Sequence, residues 1–138
     1  MSSLSETNLT KHSQYRSRNY SGIIGLQVDG VEKWSKIDVE HCVYSWLESR
    51  IKNNEIVLSP IVGQEEMLYY EYKGNIITEP CIRVYGEVAS RQNHLSDEEI
   101  VKLVYSLFEH IKIGLNQETV RFTYTGYTDS ISYRIETL

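Results

Sequence analysis

The sequence predicts an α+β fold: one sheet with two helices packed on one of its faces. Three observations predict it. The segments 34–52 and 95–113 both show helical spacing of apolar residues. They align without a gap, Val43-Tyr44-Ser45 falling on Val104-Tyr105-Ser106 and Glu48 on Glu109. Each is flanked by short runs rich in β-branched and aromatic residues, the composition of strands. The chain therefore reads as an internal repeat of two β-α-β units. Its 138 residues suit one domain, and a hydrophobic fraction of 41% is enough for a core.

Residues 1–20 are polar and aperiodic, and a segment that cannot bury apolar surface is expected to form a flexible arm. Lys11, Arg16 and Arg18 make it mildly basic, so it is either a solvated tail or a docking arm for an acidic partner or a phosphate. The folded domain is expected over 21–138. Ile23–Val28 reads as the first strand, and Asp29-Gly30 as a turn. Ser35 caps the first helix, with Asp38 three residues on to complete a capping box. Val39, Val43, Trp46 and Leu47 form its apolar side, and Asn53-Asn54 ends it.

Ile56-Val57-Leu58 is expected to open the next strand, Gly63 to begin a turn, and Met67–Tyr72 to form a further strand closed by a turn at Lys73-Gly74-Asn75. Pro80 introduces Cys81–Val88, the strand of the second repeat. Ser96 and Glu99 form the second capping box, and Ile100, Leu103, Val104, Leu107 and Ile111 the second apolar face. Gly114 is expected to close that helix. Thr119–Thr125 has the composition of a good strand, and Ser130–Ile135 can form a last one. Two topologies fit this order. In one, each β-α-β is a right-handed parallel crossover. In the other, the order is ferredoxin-like and mostly antiparallel.

The totals narrow the function. A net charge of -5 makes nucleic acid an unlikely partner. No apolar run reaches the roughly 20 residues of a membrane span, and no apolar signal core stands at the N-terminus, so no membrane and a cytoplasmic location are expected. Cys42 and Cys81 lack metal-ligand spacing, as do His12, His41, His94 and His110. No phosphate loop or nucleophile elbow is present. The expectation is no metal and no cofactor.

Residues 74–129 resemble the second half of the tautomerase superfamily, most closely its macrophage migration inhibitory factor branch. The resemblance lies in Glu79-Pro80-Cys81 before a strand, Gly86, the Gln92-Asn93 pair, a helix, and then Val120–Tyr124. The first half is similar in order and length. The resemblance implies two β-α-β repeats and a trimer. It also implies catalysis by an N-terminal proline, but Ser21-Gly22 stands where that proline would be, and Pro60 and Pro80 are internal. Lys52 matches the family's pocket lysine in position, while Arg121 and Thr123 replace its tyrosine and asparagine. Proline-based catalysis is therefore not expected.

The residues singled out for a site are Lys52, Arg83 and Arg121, an anion-binding set if their strands are neighbours. Otherwise they point to solvent or pair with Glu71 and Glu87. The sequence thus predicts a binding protein for a small anion or a protein partner, acting without turnover. One alternative is a divergent enzyme on a carboxylated substrate. Another is an immunity or anti-defence protein blocking a partner through a flat acidic patch of Glu65, Glu66, Asp97 and Glu98. The uncovered sheet face, with aromatics of 69–72 and 122–124, predicts a homo-oligomer, preferably a trimer.

Overall fold

The first strand, β1 (Asn19–Gly25), starts four residues earlier than its composition indicates. Tyr20, Gly22 and Ile24 alternate inward, and Ser21, Ile23 and Gly25 outward. The structure, a computed structural model, describes residues 10–12, 14 and 16–137. The flexible arm expected over 1–20 falls largely outside the described residues. Its last members do not: Arg18 is 1% exposed, and Tyr20 belongs to the core.

A small ribbon follows, β2 (Gln27–Val28) with β3 (Val31–Glu32), turned at Asp29 and Gly30 with positive φ at both. Helix α1 covers Lys36–Lys52, with the Ser35 N–H donating to Asp38 Oδ2 at 2.9 Å. Strand β4 (Ile61–Tyr72) and strand β5 (Asn75–Glu87) form one long hairpin. Its two-residue turn, Lys73-Gly74, takes positive φ at both positions, as a tight hairpin needs. Helix α2 covers Asp97–Gly114, and β6 (Thr119–Thr125) and β7 (Ser130–Glu136) complete the chain. At the start of α2 the capping box is reciprocal: Ser96 N–H to Glu99 Oε1 and Glu99 N–H to Ser96 Oγ, each 3.1 Å.

The main sheet runs β4-β5-β1-β6-β7, and every pairing in it is antiparallel. Each β-α-β unit links two strands with a third between them. Of the two topologies open to the sequence, this is the ferredoxin-like one. The core lies between the inner sheet face and the helices. Val43 and Val104 are both buried, as are Trp46 and Leu107, the equivalence the repeat demands. Gly22 sits beside Phe122 with no side chain, and that gap admits the Phe108 ring, stacked on Phe122 at 5.1 Å.

Four expectations change. Ile56-Val57-Leu58 is not a strand; it is a loop whose Leu58 enters the core and whose Val57 carbonyl accepts from Gln92 Nε2. Gly63 marks a bulge, where the register shifts between Val62 and Glu65, rather than a turn. Pro80 lies within β5. Its carbonyl accepts from Leu26 N–H, so its missing N–H faces the side on which β1 has just ended. Gly114 is the last residue of α2, and the positive φ belongs to Asn116. A Cβ on Gly114 would come within 2.9 Å of Cys42 Sγ, so this glycine serves the close approach of the helices.

Candidate functional site

The outer sheet face carries no helix, and its side chains form a readable grid. Ile23 of β1 is opposite Arg83 on one neighbour and Arg121 on the other, and Arg121 is opposite Arg134. One row across the sheet therefore reads Arg83, Ile23, Arg121, Arg134. The next row reads Tyr85, Ser21, Thr123, Ser132. On the other side Gly25 is opposite Cys81 and Thr119 opposite Glu136, with Glu66 opposite Cys81 across the hairpin. Much of this grid, together with Leu68, Tyr70, Glu79 and Gln117, lines an open groove of about 1150 Å³.

Arg83 and Arg121 are two strand spacings apart, about 10 Å at their Cα atoms. Both are exposed, and among the described residues neither makes an ion pair. Arg83 Nη1 donates to Ser21 Oγ at 3.3 Å. The pairing with Glu71 and Glu87 that the sequence allowed is not formed. Arg134 Nη1 lies 3.0 Å from Glu136 Oε1. The cationic row thus belongs to a chain of net charge -5 and has few internal counter-ions.

The acidic side lies along the hairpin. Glu66 and Glu79 sit on strands β4 and β5, on the same face as Cys81. Glu79 Oε1 accepts from the Tyr70 hydroxyl at 2.7 Å. Glu79 and Arg83 are four residues apart on one strand face, about 13 Å along it. Burial pushes the Cys81 thiol pKa up, and Glu66 adds to the rise while Arg83 opposes it. A thiol held protonated is a poor nucleophile, so Cys81 acts as the apolar floor of the groove.

Of the three residues singled out from the sequence, the structure joins Arg83 and Arg121. Lys52 is not with them. It ends α1, in the helical layer, and the sheet stands between it and the arginines. Its place before the next strand misled because β4 starts nine residues later. Arg134, Glu79 and Ser21 were missed, and Glu66 was read only into the acidic patch. Strand alternation marks their facing, but their convergence depends on pairing register. The flat acidic patch is not formed either: Glu65 and Glu66 pair near the Gly25 end of β1, whereas Asp97 binds Arg18 at the other end.

Among the described residues no cluster of three or more His, Cys, Asp or Glu could hold a metal, and no helix is long and apolar enough to cross a membrane. No family model and no curated protein matches the chain. Among solved structures it is similar to a phage SAM lyase in the apo state, with a TM-score of 0.70 and 17% identity over 94% of this chain and 97% of that one. It is likewise similar to a phage SAM lyase in complex with S-methyl-5'-thioadenosine, with a TM-score of 0.64 and the same identity and coverage. The class is thus a small α+β protein with an open, charged sheet face. At this identity, the likeness to phage SAM lyases is one of fold.

Proposed function

We propose that the protein binds S-adenosylmethionine on its outer sheet face and cleaves it as a lyase, releasing S-methyl-5'-thioadenosine. This is the carboxylated-substrate reading of the sequence, with a substrate supplied by the fold comparison. The observation that carries it is the polarity of the face. S-Adenosylmethionine has a carboxylate at one end and a positive sulfonium inside the molecule. Along the groove Arg83 and Arg121, which make no ion pair among the described residues, stand at one end and Glu79 towards the other. Arg83 and Arg121 hold the carboxylate through guanidinium forks. Glu79, fixed by Tyr70, faces the sulfonium, and Leu68 and Tyr70 offer apolar surface to the base. The roughly 13 Å between the Glu79 and Arg83 backbone positions, less the reach of the two side chains, leaves room for the carboxylate-to-sulfonium stretch of the ligand.

Release of S-methyl-5'-thioadenosine breaks the bond from sulfur to the γ carbon of the amino-acid chain. The electron pair goes to sulfur, which becomes neutral. The four-carbon fragment balances by losing a proton or by closing through its own carboxylate. Charge is lost at sulfur, so displacement of water from around the bound sulfonium favours the step. The test is product detection by mass spectrometry after incubation with S-adenosylmethionine, beside calorimetric binding. Release by the natural chain and about tenfold or weaker binding by Arg83→Gln are expected. Binding without release would reduce the reading to that of a binding protein. No binding would end it.

A second reading, association with another protein, is favoured by one feature. Beyond the Gly25–Cys81 pair, the β4–β5 hairpin extends past β1 as an arm. Tyr69, Tyr72 and Ile76 on it are 69%, 56% and 81% exposed. Such an apolar arm with an unpaired edge needs a cover. The partner proposed is a second copy of the chain, as a homo-oligomer.

A further inference from the structure

The arginine row holds one guanidinium more than a carboxylate uses. Arg121 and Arg134 stand directly opposite one another on β6 and β7, about 5 Å apart at Cα. Like charges placed so are destabilising. The nearby carboxylate, Glu136, contacts Arg134 alone, and both side chains of that pair are about half exposed, where ion pairs contribute little. Beside the arginines, Thr123 Oγ and Ser132 Oγ lie 3.0 Å apart. One hydroxyl donates to the other, which leaves the second O–H free to donate outward.

We propose that Arg121 and Arg134, with the Thr123–Ser132 hydroxyl pair, form a second anion subsite that takes a phosphate group. Two forks and a hydroxyl offer donors from three directions. A planar carboxylate offers two oxygens in one plane and does not meet donors from three directions. A tetrahedral dianion has an oxygen for each donor, and its charge offsets the opposed guanidiniums. Glu136 is the competing acceptor, and Arg83 lies beyond Ile23, two strands away from Arg121. The subsite does not rest on the S-adenosylmethionine reading. Arg121 is common to both, so Arg134 and Arg83 separate them.

Arginine side-chain NMR on the full chain tests this, with sodium phosphate titrated against sodium chloride at matched ionic strength. The Arg121 and Arg134 resonances shift and saturate with phosphate. Arg134→Gln weakens the phosphate affinity by about tenfold or more, and Arg83→Gln leaves it within about threefold. Glu136→Gln removes the competitor and tightens binding a few-fold. All three positions are exposed, and an unchanged backbone spectrum shows that each variant is folded. A second arm with adenosine 5'-monophosphate identifies the source: tighter binding than phosphate assigns a nucleotide-borne group, equal binding a free anion. Shifts no larger than those from chloride, or shifts that persist in Arg134→Gln, overturn the proposal. Failure of S-adenosylmethionine binding leaves these outcomes untouched.

Discussion

Replacing Arg18 with methionine should destabilise the protein more than any surface change. Its guanidinium, 1% exposed, donates to Leu95 O at 2.9 Å, to Gln92 O at 3.2 Å and to Asp97 Oδ1 at 3.2 Å. The Tyr127 ring lies 4.6 Å from it. Asp97 also accepts from the Tyr124 hydroxyl at 2.6 Å, so one arginine ties β1, the 90–97 loop and β6 together. Hydrogen bonds to charged groups are each worth about 1.5–3 kcal/mol net. Breaking one side of a buried charged pair costs about 3–5 kcal/mol. Asp97 is 47% exposed and regains water, while methionine fills part of the space, so about 3 kcal/mol is expected. That is a large share of a typical unfolding free energy of about 5–15 kcal/mol. Urea unfolding followed by tryptophan fluorescence measures it as a lower midpoint at unchanged slope. A loss below about 1 kcal/mol would show that Arg18 is not the bolt described.

Three further outcomes are expected. Gly22→Ala forces a methyl into the Phe108 ring and should cost about 1–3 kcal/mol, with Phe108→Leu restoring part of it; additive losses in the double variant contradict the packing. The Ser96 N–H and hydroxyl hold the Glu99 pKa below its usual value, so this carboxylate stabilises the fold above about pH 4.5 and loses that effect as pH falls through its folded pKa. The stability gap between the natural chain and Glu99→Gln should therefore close on acidification, and a widening gap has the wrong sign. Light scattering near micromolar concentration should give a multiple of the 16.1 kDa chain, and Tyr69→Glu with Ile76→Glu should lower it; a single-chain mass removes the self-association reading.

Local chemistry made much of this fold legible in the sequence. Both capping boxes and both apolar helix faces were readable because caps and helical spacing are short-range features. The turn at Lys73-Gly74 was readable for the same reason. Strand boundaries were harder. Val57 and Leu58 are apolar because a loop enters the core there, and composition cannot separate that from a strand. Strand order was open because both topologies place the same residues in strands. The site suffered most. Arg83 and Arg121 could be picked as charges inside strands, but only register puts them on either side of Ile23. The same register separates Lys52 from them and brings in Arg134 from a strand that composition marks weakly.

A crystal structure with S-adenosylhomocysteine most directly tests the central claim, that the arginine row on the outer sheet face receives the substrate carboxylate. This thioether keeps the carboxylate and the base but has no sulfonium to release. The ligand should lie across β5, β1 and β6, its carboxylate within hydrogen-bonding distance of Arg83 or Arg121 and its sulfur towards Glu79. A ligand bound among the helices, or on the outer face with its carboxylate away from both arginines, would contradict the claim.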